Sequence, residues 1–380
     1  MLQGSARCPK LIKPLEDPIA SPLPSGQPQH ISPRTAALLV TVLRQWLDPE
    51  QGICLQGDGD FSTLLELAIK TKTVGLLQTG FERAAIDPPS GFATELARLQ
   101  AEILRINLRA LSTIAGIAES FGQNALPYVV IKGPLRAEQV YGRFDVRFGS
   151  DVDVYVEPEH YRTSMRLLAD ALGYSCMVPA DDHWWHDFLG ESPFVAKDEA
   201  GLTIDLHNQL QQPGGPYPAN TRRFFEEGVM RPVGRTSARI LSPDNALMLT
   251  AISFGKALRN GEAWIAYAHE LSVALKSMPP SAQVALRTRA YELRIGKLFD
   301  EFVRLSRALF DVAPSDRLAG ADERLAMSAC GIAPLGFLSR TRASWRWSDG
   351  FGPVRIGRFC STLAREARSR RALRTATKFD

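Results

Sequence analysis

The sequence predicts an α+β protein in which a small mixed β-sheet is embedded between an N-terminal and a C-terminal helical region. Three observations carry this. Apolar residues recur at spacings of three and four on both sides of the chain's middle, as in Leu96, Leu99, Ile103, Ile106, Ala110 and Ile114. The middle itself holds short β-branched runs, "YVVI", "DVDVYV" and "LTIDL", bounded by turn-forming residues. The 380 residues are 45% hydrophobic and 23% charged, an ordinary globular composition with room for two or three structural units.

Taken in order, residues 1–31 are rich in Pro and Ser, lack an apolar signal core and read as a mobile leader. "SPRTAALLVTVLRQWL" predicts a helix capped by Ser32 with Pro33 in its first turn. "DFSTLLELAIKTKTVGLLQTGF" predicts a second, with Asp60 as its cap, and 92–121 predicts one long helix. The helical region therefore spans 32–121. The core module, 122–212, opens with "LPYVVIKG", a buried strand ended by Gly133-Pro134. A short helix "PLRAEQVYG" follows, then the strand "DVDVYVE", a helix ending at Gly173, and a third strand at "YSCMVP". "SPFVAK" and "LTIDLHNQL" flank the turn "DEAG" as an antiparallel hairpin. After the linker "QQPGGPYPAN", region 213–380 begins with a short strand and a helix capped by Ser242, with Pro243 at its first position. Helical patterns then fill 262–277, 280–309 and 322–330.

Several function classes are excluded or disfavoured. No apolar run reaches the roughly 18 residues of a membrane span. Five scattered cysteines form no CxxC pair, which argues against a disulfide framework or zinc ribbon and for the cytoplasm. Net charge is only +4. Basic residues cluster in the tail "REARSRRALRTATKFD", so long nucleic acid is a weaker expectation than a small-molecule or peptide partner.

The sharpest signal is "RFGSDVDVYVEPEH" at 147–160. Aspartate is depleted in strands and costly to bury unpaired. Strand side chains alternate, so Asp151, Asp153 and Tyr155 share one face and Val152, Val154 and Val156 the other. On the later strand, Thr203, Asp205 and His207 share a face opposite Leu202, Ile204 and Leu206. If the two strands are neighbours, Asp151, Asp153 and Asp205 converge. Two carboxylates 4 Å apart repel by about 4 kcal/mol at an effective dielectric of 20. A divalent cation relieves this, and carboxylate oxygens suit magnesium, with manganese as an alternative. Lys132-Gly133 at the end of "YVVI" offers positive charge and a close backbone approach to phosphate; Arg147 and Ser150 offer further donors.

Together, "VVIKGPLRAEQVYGRFDVRFGSDVDVYV" and "LTIDLHNQL" resemble the nucleotidyltransferase superfamily, in particular a bacterial group of uncharacterised nucleotidyltransferases. The resemblance covers roughly residues 36–280. It implies that superfamily's small mixed sheet. It also implies magnesium held with a nucleoside triphosphate by Asp151 and Asp153, and Asp205 completing the metal site and helping to deprotonate an acceptor hydroxyl. Lys132 and Gly133 occupy the phosphate-facing turn; Arg147 and Ser150 line the entry.

Three departures stand out. The turn is Gly133-Pro134 where the superfamily has Gly-Ser or Gly-Gly, and Asp151 lies 18 positions beyond Gly133. Proline removes a backbone donor. The helix after "SPDN" has Ser253, Phe254 and Lys256 where the group often has a histidine, which makes Lys256 a candidate phosphate contact. "AYAHEL" offers His269 and Glu270 where the group often has an aspartate; neither is assigned a catalytic role.

Other constellations are weaker. "DDHWWHD" at 181–187 pairs His183 with His186, which share a face only in a helix, and Trp184 or Trp185 could stack on a base. "DGD" at 58–60 lacks the later ligands of a calcium loop, and "SWRWSDG" at 344–350 fits self-packing as well as base stacking. The expected activity is magnesium-dependent transfer of a nucleoside monophosphate from a triphosphate to a small-molecule or peptide acceptor. The alternatives are a non-catalytic nucleotide-binding regulatory module and a kinase-like phosphotransferase using the same metal site.

Overall fold

Helix starts follow the capping chemistry in the sequence. In the computed structural model, which describes residues 31–49, 61–179, 184–197, 202–211, 217–311 and 321–333, the Ser32 hydroxyl accepts from the Thr35 N–H at 3.1 Å and opens α1 (Pro33–Arg44). Ser242 does the same for α8 (Pro243–Asn260), accepting from the Asn245 N–H. The long apolar stripe forms α4 (Ser90–Gln123), 34 residues and about 50 Å of rod.

The pattern predicted as one helix from Asp60 onward is two, α2 (Phe61–Lys70) and α3 (Val74–Ala84). Hydroxyl chemistry breaks it. Thr71 Oγ1 bonds back to the Leu67 carbonyl at 2.8 Å and to Thr73 Oγ1 at 2.8 Å, and Lys72 turns into the left-handed region at φ +57°. The 280–309 pattern also divides, into α10 (Pro280–Glu292) and α11 (Gly296–Phe310), with Arg294 at φ +59° between them. Asp60, "DGD", "DEAG" and "SWRWSDG" lie outside the described residues.

Among the described residues seven strands form one mixed sheet: β1 (Val129–Val130), β2 (Asp151–Tyr155), β3 (Tyr174–Cys176), β4 (Glu191–Ala196), β5 (Thr203–His207), β6 (Val229–Val233) and β7 (Thr236–Ile240). Their order is β3-β4-β5-β2-β1-β7-β6. β4 and β5 pair antiparallel as predicted, and β2 runs parallel to β5. The sheet also continues past residue 212: β7 pairs parallel with β1, and β6 closes that edge.

One sheet face, with Val130, Val152, Val154, Ile204 and Leu206, packs on the second half of α4 and on α6 (Tyr161–Asp170). The first half of α4 packs with α1–α3, and these share one core with α8, α11 and α9 (Ile265–Lys276). Polar ties cross this core: Arg44 Nε donates to the Leu309 carbonyl at 2.6 Å, and Lys276 Nζ to that of Leu47. The two helical regions are therefore one packed body around the sheet. Among the described residues no helix is long and apolar enough to cross a membrane.

One contact fixes the α2–α3 corner against the sheet. At Gly75, an added Cβ would lie 2.2 Å from the Asp145 carbonyl oxygen and 2.6 Å from Val146 Cα. Both obstacles are backbone, so the helix must be bare there. Gly75→Ala is expected to lower stability by about 1–3 kcal/mol through overpacking, read as an earlier midpoint in a urea melt.

Candidate active site

The register of β2 against β5 builds the site. Asp151 stands opposite Thr203, Asp153 opposite Asp205 and Tyr155 opposite His207, all on the face that turns away from α4. Asp153 is only 5% exposed. Its Oδ1 accepts from Lys132 Nζ at 2.9 Å and from His207 Nε2 at 3.0 Å. Lys132 comes from the end of β1, antiparallel to β2, so three strands meet at one carboxylate. On its other side the His207 ring lies 3.7 Å from Glu191.

The three aspartates are electrostatically unequal. Burial opposes ionisation of Asp153, but the Lys132 ammonium and the His207 N–H outweigh it and hold its carboxyl well below the usual range. Burial and the Asp153 carboxylate push Asp151 up. Burial, then the charges of Asp151 and Asp153, push Asp205 up to about 7. Asp153, Asp205 and His207 each bring a ligand atom within 4.8 Å of the others. This trio can hold a metal ion, and its excess negative charge is what a cation would neutralise. His207, an open question in the sequence, is thus a partner of the central aspartate.

Asp151 and Asp153 open into a cleft of about 200 Å³. Lys132, Gly133, Arg147 and Gly149 line it from the sheet side, with Ala246, Leu249, Thr250 and Ser253 on one stripe of α8 opposite. Gly133 sits at φ +94°, a conformation suited to glycine, and Pro134 starts α5 (Pro134–Tyr141). Ser150 and Lys256 are not among the lining residues, although each is adjacent in sequence or helical turn to residues that are.

Arg147 reaches the cleft, but its guanidinium is already engaged. It pairs with Glu270 and lies 5.6 Å over the Tyr267 ring. Glu270 is 1% exposed and also takes Arg136 at 2.9 Å and the Thr250 hydroxyl at 2.8 Å. Burial opposes its charge; the two arginines outweigh this and keep it ionised. Sequence reasoning left Glu270 without a role. Its partners are 134 and 123 residues away along the chain, so no local pattern marked it. The signal that existed was a glutamate in a helix whose other residues are mostly apolar.

His269 and His186 are both engaged by protein partners. His269 is fully buried, and burial pulls its pKa down to about 4. Its Nε2 donates to the Leu43 carbonyl, leaving Nδ1 to accept from Tyr141. His186 sits in a π-type turn, Trp184–Leu189, donating from Nε2 to the Pro179 carbonyl at 2.8 Å and meeting Ser192 Oγ through Nδ1 at 2.6 Å. Both of its nitrogens are spent on protein partners. His183 lies outside the described residues.

A mixed sheet that presents Asp-x-Asp on one strand and a further aspartate on its parallel neighbour, beside a basic cleft, is the arrangement the nucleotidyltransferase resemblance implies. The chain belongs to the family described as uncharacterised nucleotidyltransferases, matching it over residues 57–311. No match is found among curated proteins or among solved structures. Membership supports a role in nucleotidyl transfer.

The raised Asp205 pKa makes stability depend on pH in the metal-free protein. Between about pH 4 and 7 the folded state holds a proton there that the unfolded state has lost, so stability falls as pH rises through this window. Asp205→Asn removes the penalty. Denaturant melts in chelator are expected to show the variant more stable than wild type at pH 8, by on the order of 2 kcal/mol, with the gap closing toward pH 4.

Proposed function

We propose that the protein is a divalent-metal-dependent nucleotidyltransferase that moves a nucleoside monophosphate from a triphosphate to a small-molecule or peptide acceptor. The observation that carries this reading is the Asp153–Asp205 register, which pairs these two carboxylates beside a cleft that Asp151 and Asp153 line together with lysine and arginine. Asp151, Asp153 and Asp205 are the carboxylates proposed to hold the ion; of these, Asp153 and Asp205, with His207, bring ligand atoms within 4.8 Å of one another. Magnesium or manganese bound there would supply charge neutralisation of the phosphates and activation of the acceptor oxygen.

The chain's own groups account for the rest. In the transfer, the acceptor oxygen bonds to the α-phosphorus as the bond from that phosphorus to the β-phosphate's bridging oxygen breaks. Pyrophosphate leaves with the electron pair. The acceptor proton passes to Asp205, the carboxylate on the strand beside Asp153. Lys132 holds Asp153 ionised and in place. The Arg136–Glu270–Arg147 cluster contributes fixed positive charge to the cleft wall.

The reading is tested by incubating the protein with Mg²⁺, α-labelled or γ-labelled nucleoside triphosphates and a panel of hydroxyl-bearing small molecules and peptides. Label is expected to reach the acceptor from the α position only. Asp153→Asn is expected to lower the rate by more than about a hundredfold, and chelator to abolish it. Transfer from the γ position would instead make the protein a kinase. Tight nucleotide binding without any transfer would make it a regulatory module.

A further inference from the structure

We propose that Lys72, delivered to the cleft by the N-terminal helical region, binds the terminal phosphates of the nucleoside triphosphate; this deepens the function proposed above and rests on it. Among the described residues four cationic side chains line the cleft: Lys72, Lys132, Arg136 and Arg147. Carboxylates hold three of them. Lys132 is taken by Asp153, and Arg136 and Arg147 by Glu270. Among the described residues Lys72 pairs with no carboxylate; its ammonium lies 5.6 Å from the centroid of the Phe148 ring. It is the cleft cation whose donors are not spent on a carboxylate.

Its position is built rather than incidental. A lysine at φ +57° is in a conformation that costs a side-chain-bearing residue about 1 kcal/mol or more. The neighbours over-determine it. The Lys72 N–H donates to the Ile69 carbonyl at 3.0 Å and the Thr73 N–H to that of Ala68 at 2.8 Å, and the Thr71 and Thr73 hydroxyls bond each other. Gly75 then presses α3 onto Asp145 and Val146, the segment that leads into Arg147, Phe148 and Asp151. The corner is thereby pinned beside the carboxylates.

The chemistry fits a polyphosphate. Pro134 has no N–H, so the turn after Lys132 offers one backbone donor fewer than a Gly-Ser or Gly-Gly turn would. A lysine on a flexible stem brings three donors and a full charge to non-bridging phosphate oxygens. As pyrophosphate departs, charge builds on the β-phosphate, and a cation on the terminal phosphates stabilises it.

The test uses the full chain, with calorimetric titration of MgATP, MgGTP, MgCTP and MgUTP, and of inorganic triphosphate with Mg²⁺. Wild type, Lys72→Met, Lys72→Gln, Lys72→Arg and Asp153→Asn are compared, and thermal melts check that each is folded. Lys72→Met and Lys72→Gln are expected to weaken the preferred nucleotide and inorganic triphosphate alike, by about tenfold to a hundredfold. Lys72→Arg is expected to recover most of the loss. If either neutral variant, folded, binds as wild type while Asp153→Asn is impaired, the assignment of Lys72 is wrong and the nucleotidyltransferase reading survives. If wild type binds none of the four nucleotides, both fall together.

Discussion

Asp153 is the point on which the rest of the structure turns. A carboxylate this deeply buried survives ionised only because two donors from two other strands share one of its oxygens. That shared oxygen sets the order of the three central strands, since Lys132 must arrive on β1 and His207 on β5 with β2 between them. It also divides the labour among the acids. Burial, and then the charges the aspartates exert on one another, push Asp151 and Asp205 toward the protonated form while Asp153 keeps its charge.

A second pairing does comparable work across the cleft. Glu270 on α9 gathers Arg136 from α5, Arg147 from the loop before β2 and Thr250 from α8. Four separate pieces of chain are tied by one buried carboxylate at the cleft wall. Breaking such a centre by removing one partner leaves unpaired charge in low dielectric, typically at a cost of about 3–5 kcal/mol. The wall opposite the aspartates is therefore as firmly placed as the sheet itself.

Much of this was legible in the sequence wherever a local period carries the information. The alternation in "DVDVYV" and "LTIDLH" assigned the faces of β2 and β5, and the capping serines marked α1 and α8. The break at Lys72 was read through: "KTKT" interrupts the apolar period with four polar residues, and the hydroxyl bonds of Thr71 and Thr73 end the helix there. β6 was missed for a related reason: "VMRPV" carries an arginine and a proline, which are tolerated because it is an edge strand paired on one side. Ser150 and Lys256, read as phosphate contacts, do not line the cleft, whereas Glu270 and Lys72 do. Spacing along the chain says which residues share an element, not which distant elements face each other.

The long helix α4 has a consequence for how the molecule comes apart. Its first half belongs to the core shared by the two helical regions, and its second half is buried under the sheet. A single rod threaded through both hydrophobic masses couples their melting, because neither can loosen without fraying the support of the other. The protein should come undone as one cooperative unit, its cleft vanishing in the same transition as its scaffold.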